Sequence, residues 1–294
     1  MTPKKATTID EQIAKFKERG MIINDCDEAR MFLTHTCYYR LGSYSFPFEK
    51  KYPVKLNRNH KYKEGTLFND VVELYHFDFE LRSLLQKYLS IIEVSFKTVV
   101  INIISVMHIN LPAWFSDPSV VNDEFAENFN RDVYSKNGLC KNKVIIEHHK
   151  KYPTDSFAPA WKTIECMTFG SVYQLYLSLK DEYIQATISR TYGLETLVFS
   201  NYIKSIRDLR NICAHGSVVF DYSLSYRLRN GPALKYTHGE RNTNIGKLST
   251  LVKYFLLQIS PNMKEEYVLG LHSILNHYSK NERIKHIIDD CNFI

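Results

Sequence analysis

At 294 residues the chain is long enough for one large domain or two smaller ones, and it can bury a substantial core. Apolar residues at 44% and charged residues at 24% are ordinary for a globular protein and exclude long disordered stretches. A net charge of +6, with a pI near 8.8, favours polyanionic partners only weakly. In chain order, Thr8-Ile9-Asp10-Glu11 forms a capping box before Ile13 and Phe16, and Gly20 is placed to stop that helix. Asp25 with Glu28 opens a short helix through Met31, Phe32 and Leu33. An aromatic, turn-rich stretch follows from Tyr38 to Phe48, then a basic loop from Lys50 to Lys63. Asp70 and Glu73 open the longest helix, where Leu74, Phe77, Leu81, Leu84, Leu85, Tyr88, Ile92 and Phe96 share one face. The polar region 114–155 is expected to be an insertion or a loosely packed connection. Pro159 should start a helix that Gly170 ends, with Ser171 opening the next, and Ser200 should cap a further helix.

The expected fold is therefore mainly α: an N-terminal helical extension with its aromatic-basic loop over 1–68, and a helical domain over 69–294. The segment Leu89 to Leu111 is apolar, but Glu93, Lys97, Asn102 and His108 interrupt it, so it reads as a buried helix rather than a membrane span. Met1 to Lys17 is polar and lacks a secretory core, which makes the cytoplasm the expected location. The six cysteines are scattered with no C-x-x-C pair; most are expected to be buried free thiols, and no metal or other cofactor is anticipated. The adjacent His148 and His149 read as a solvated basic loop or helix end.

The segment from Ile203 to Gly216 carries the chemistry. Ile203, Ile206, Leu209, Ile212 and Cys213 make a buried stripe. Residues four apart stack on one helix face, so Arg207, Asn211 and His215 form a polar line, with Arg210 on its flank. Gly216 stops the helix just after His215. Metal-free RNA cleavage needs a base for the ribose 2′-hydroxyl, an acid for the leaving 5′-oxygen and positive charge against the phosphorane. A histidine suits the proton work, an arginine fork suits the phosphoryl oxygens, and an asparagine can orient either. One histidine serves one proton transfer, so a second copy from a dimer partner would complete the pair. The same spacing arises more often on helices that merely pack. On a straight helix Arg210 and His215 also point about 140° apart.

Five ordered segments resemble the Abi family of bacterial abortive-infection proteins (the AbiD/AbiF type) within the HEPN superfamily. Thr8 to Ile13 with Arg19-Gly20-Met21 is similar to its opening helix, and Tyr38-Tyr39-Arg40-Leu41 with Pro47-Phe48 to its Y-Y-R-L signature. Glu73 to Arg82 resembles its ELYxFDxxLR helix, Trp161 to Gly170 its W-x-x-x-E-x-x-x-F-G element, and Leu209 to His215 its L-R-N-x-C-A-H motif. The resemblance implies a dimeric HEPN helical bundle, acting in phage defence or as a toxin restrained by a small structured RNA. It implies a metal-independent endoribonuclease site in which Arg210 and His215 carry catalysis and Asn211 is the polar position between them. Gly216 replaces the second histidine common in the family, and Gly42-Ser43 reverses its usual Ser-Gly.

Glu93 and Lys97 fall where the family's long helix carries a Glu and a basic residue four apart. They either position the active-site arginine or, the favoured reading, form a simple i,i+4 pair. Candidate RNA-binding residues are Arg207, Lys204, Arg40 and Tyr39, the last two in a stretch that could stack unpaired bases or pack in the core. The leading expectation is a homodimeric nuclease for single-stranded RNA. The alternatives are an RNA-binding protein that does not cleave but holds a small structured RNA, and a motif helix that only builds a dimer interface.

Overall fold

The computed structural model describes residues 5–135, 138–235 and 243–293. Helix makes up 67% of the fold, in thirteen α-helices with no strand among the described residues, so the mainly α expectation holds. The chain divides into two compact units. The first comprises Met1–Ser83, Val218–Tyr222 and Gly270–Asn292, and the second Leu84–Ser217, Ser223–Leu269 and Phe293–Ile294.

In the first unit, helix α1 (Ile9–Glu18) begins with the expected capping box at Thr8, and Gly20 follows its end at φ +93°. Helix α2 (Cys26–His35) is capped by Asp25, whose carboxylate accepts the N–H groups of Asp27 and Glu28. The stretch expected to be turn-rich is instead helix α3 (Tyr38–Ser45), followed by a 3-10 turn at Phe46–Phe48. Gly42 and the serines suggest turns locally, but burying Leu41 and Tyr44 on one face outweighs that propensity. Around α1 the rings of Phe16, Tyr38 and Phe68 meet edge on or tilted. Deeper in, Asp78 accepts hydrogen bonds from the Tyr44 hydroxyl and from the backbone N–H groups of Val219 and Phe220, and pairs with Arg82 at 2.7 Å. A fully buried carboxylate is tolerable only with such a complete set of donors.

The basic loop is present between Lys50 and Lys63, but much of its charge is used internally. Arg58 and His60 converge on the buried Glu49. Burial opposes charge on Glu49, yet Arg58 and His60 outweigh it and hold its carboxyl below the usual carboxylate range. Lys55 pairs with Asp221 at 3.2 Å, and Lys51 and Lys63 donate to the carbonyls of Asn57 and Pro47.

Helix α4 (Phe68–Met107) runs 40 residues, about 60 Å at the usual rise, and contributes to both units. By length and composition it could cross a membrane. Leu74, Phe77, Leu81, Leu85, Ile92, Phe96, Val100 and Ile104 are fully buried along it, which makes it the core helix its pattern anticipated.

In the second unit the polar region carries helices α5 (Asp123–Phe129) and α6 (Lys143–Lys151). It is not loosely packed: Phe115, Phe129 and Phe157 form a ring cluster, and Trp114 donates from its indole to Ser105. A few large aromatics suffice to anchor a segment whose average composition is polar. His148 in α6 is buried against Asp155 rather than solvated, and His149 meets the Tyr134 hydroxyl.

Helix α7 (Ala160–Cys166) starts after Pro159 as expected but ends at Cys166. Thr168, not Ser171, caps helix α8 (Phe169–Ser178) by accepting the Ser171 N–H, so Gly170 lies in the first turn of α8 rather than ending α7. Helices α9 (Glu182–Thr191), α10 (Thr196–Ala214) and α11 (Ile245–Ile259) complete the core, with Phe96, Tyr176, Tyr192, Phe199 and Phe255 in ring contact. Helices α12 (Pro261–Tyr278) and α13 (Glu282–Asp290) end the chain. Only Cys213 and Cys291 of the six free cysteines are buried; Cys37 is exposed and the other three are half-buried, contrary to the expectation for most of them.

Candidate functional site

Helix α10 carries the motif, and its sequence explains its two faces. Phe199, Tyr202, Ile203, Ile206, Leu209 and Cys213 are buried, while Ile212 is only half-buried at the stripe's edge. The helix starts earlier than expected: Glu195 is its N-cap, and Ser200 lies inside the first turns. Burial of Phe199 extends the helix back past the serine, because packing rather than a local hydroxyl decides where it begins.

The other end is as expected. Gly216 adopts φ +66° and donates to the Cys213 carbonyl, while Ser217 donates to the Ile212 carbonyl. This is a Schellman stop, which a glycine enters without the steric penalty of a Cβ. It leaves His215 as the C-cap residue, exposed, with its N–H bonded to the Asn211 carbonyl. Asn211 is half-buried one turn earlier.

Arg210 leaves the flank of α10 towards α4. Its Nε lies 2.8 Å from Glu93 Oε2, and Lys97 Nζ lies 3.1 Å from the other oxygen of the same carboxylate. The Nε–H direction misses the hydrogen-bond line, so the contact is Coulombic. The side chains of Glu93 and Lys97 are 9% exposed and that of Arg210 31%. The Glu93–Lys97 spacing is an i,i+4 pair, and the same carboxylate also pairs with Arg210. The terminal nitrogens of Arg210 make no hydrogen bond among the described residues.

The remaining basic candidates fare differently. Arg207 stacks on the Tyr173 ring at 4.8 Å and pairs with Asp208 at 2.6 Å. Lys204 sits over the Tyr226 ring at 4.0 Å. Tyr226 in turn donates its hydroxyl to Asp208. Tyr173, Asp208 and Tyr226 carried no motif signal; the charge of Asp208 beside Arg207 was the one visible hint. Tyr39 and Arg40 lie on α3 in the other unit, where Tyr39 is 90% exposed and Arg40 has partners of its own.

No curated protein and no solved structure matches the chain. A family model described as Abi-like protein matches residues 31–221, from α2 through the whole of α10 and its stop, and leaves the opening helix outside the match. On that match, which spans well over half of its length, the chain belongs to the Abi-like protein family.

Proposed function

We propose that this protein is a metal-independent endoribonuclease of the HEPN type, cutting single-stranded RNA in the cytoplasm as a homodimer. Membership of the Abi-like family suggests a role in abortive infection, the halting of phage-infected cells; a toxin held in check by a small structured RNA is the related form of the same reading. The observation that carries the proposal is the Arg210 fork, fixed through Glu93 and Lys97 on the helix that ends in an exposed His215.

In this reading a neutral imidazole takes the proton of the ribose 2′-hydroxyl, and the 2′-oxygen forms a bond to phosphorus. The bond to the 5′-oxygen breaks, and that oxygen leaves with a proton given by an imidazolium. The products are a 2′,3′-cyclic phosphate and a 5′-hydroxyl. Arg210 neutralises charge on the phosphoryl oxygens at the pentavalent stage, and Asn211 orients the ring or the phosphate. Within one site the same imidazole can serve both steps in sequence, taking the 2′-hydroxyl proton and then giving it as an imidazolium to the 5′-oxygen.

Purified protein should cut single-stranded RNA in the presence of a chelator and leave cyclic phosphate ends, and His215→Ala should abolish cutting. Undiminished cutting by that variant would sink the assignment. Tight retention of RNA with no cutting by either protein would instead favour the non-cleaving RNA-binding reading. That reading draws less support from the basic loop than its composition suggests, because Arg58 and His60 face Glu49 and Lys55 faces Asp221.

A further inference from the structure

The segment Tyr226–Asn230 is fastened to α10 through its backbone. Asn201 donates from its amide to the Arg227 carbonyl at 3.1 Å and accepts the Arg229 N–H at 2.8 Å. The Tyr202 hydroxyl donates to the Arg229 carbonyl at 3.0 Å. Gly231 then passes so close that a Cβ there would lie 2.7 Å from Val198 and 2.8 Å from the Tyr202 hydroxyl, so no larger residue fits without a shift. At the other end the Tyr226 hydroxyl is held by Asp208 at 2.7 Å. Leu228 is buried between Arg227 and Arg229, which are both exposed and have no ion-pair or hydrogen-bond partner for their side chains among the described residues.

The placement of this strap is specific. At about 100° per residue, Asn201, Lys204, Asp208, Asn211 and His215 fall within roughly 80° of one another around α10. The strap occupies that stripe from Asn201 to Asp208, and Asn211 and His215 continue it. Ten residues separate Asn201 from Asn211, about 15 Å of helix, which a few nucleotides cover at ~3.4 Å or more per phosphate. Asp208, on the same stripe, pairs with Arg207 and accepts the Tyr226 hydroxyl.

We propose that Arg227 and Arg229 form a rail for the phosphates of single-stranded RNA, guiding the strand along the α10 stripe to Asn211 and His215. The proposal rests on the endoribonuclease reading for its choice of ligand. Guanidinium forks bind phosphate in two-point fashion, and a backbone fixed beforehand removes part of the ordering cost of binding. Neither arginine touches the reacting atoms; both are positioning residues.

The test compares wild-type protein with Arg227→Gln/Arg229→Gln, binding a short fluorescein-labelled 2′-O-methyl oligouridine that cannot be cut. The glutamines keep the backbone clamp of Asn201. Two lost contacts should lower the slope of log affinity against log salt by about 1.4, at ~0.7 per phosphate on a single strand. Lys150→Gln/Lys151→Gln removes the same charge from exposed positions of α6 and should leave the slope unchanged. An unchanged slope in the arginine variant, an equal drop in the lysine variant, or no binding by wild-type protein overturns the rail. Tighter binding of oligothymidine overturns RNA as its occupant. Cutting of unmodified oligouridine is scored separately. The expected slope change without cutting leaves the rail standing and removes the nuclease reading. Cutting with neither slope nor rate altered in the arginine variant removes the rail alone.

Discussion

Two cations meet one carboxylate at Glu93: Lys97 at 3.1 Å on the same helix and Arg210 at 2.8 Å from α10. Removing the carboxylate leaves the buried Lys97 ammonium with only the Glu165 carbonyl at 3.4 Å and no counter-charge, whereas removing Arg210 leaves Glu93 still paired with Lys97. The two substitutions should therefore separate stability from activity. Glu93→Gln is expected to cost about 3 kcal/mol, as breaking a buried ion pair does. Arg210→Ala should cost under ~1 kcal/mol, its side chain being partly solvated, while lowering cleavage ~100-fold or more through the lost phosphoryl contact. Urea midpoints and single-turnover cleavage rates decide it. If Arg210→Ala unfolds as readily as Glu93→Gln, the arginine is a structural partner rather than a catalytic one. Charges at Glu93 and Lys97 inside an apolar helix were visible in the sequence, and their spacing gave the pair. Their third partner was not visible from spacing, because Arg210 is far away along the chain and periodicity describes only one helix at a time.

At the scale of elements, the signals that proved readable were those whose physics is local. Thr8, Asp25 and Gly216 act where they stand because each satisfies orphan N–H or C=O groups within one turn of itself. The signals that misled were local groups overruled by packing. Ser200 resembles a cap, yet Phe199 and Tyr202 bury the turn around it; Gly42 resembles a turn, yet Leu41 and Tyr44 bury α3. Gly216 matters most, since its left-handed conformation sets the last turn of α10 and the direction in which His215 leaves it. Gly216→Ala forces a Cβ into φ +66° at a cost of about 1–2 kcal/mol. The helix end can avoid that cost by unwinding, so cleavage should fall more than global stability does. Thermal melts and cleavage rates on the same samples would show it. Unaltered cleavage in a folded Gly216→Ala protein would mean that His215 does not depend on this stop for its position.

For the molecule as a whole, the motif helix poses a geometric problem that a second copy would solve. Arg210 and His215 are five residues apart, about 140° around a straight helix, and the ion pair with Glu93 holds the arginine on its flank while the histidine stands exposed at the cap. A single chain would have to draw them together by unwinding the Schellman stop or by releasing Arg210 from Glu93. In a two-fold dimer, Arg210 of one copy can instead serve the histidine of the other, giving two equivalent composite sites. This arrangement has a consequence that a one-chain site lacks. Arg210→Ala and His215→Ala should each be inactive alone. A mixed dimer of the two carries one site with both groups missing and one with both intact. Random mixing makes half of the dimers mixed, so about a quarter of wild-type activity should return when the two inactive proteins are co-refolded. Sites built within one chain would recover nothing on mixing, because every site would still lack one group. Activity returning on co-refolding, but not on mixing proteins too briefly for subunits to exchange, would place Arg210 and His215 in one site on different copies.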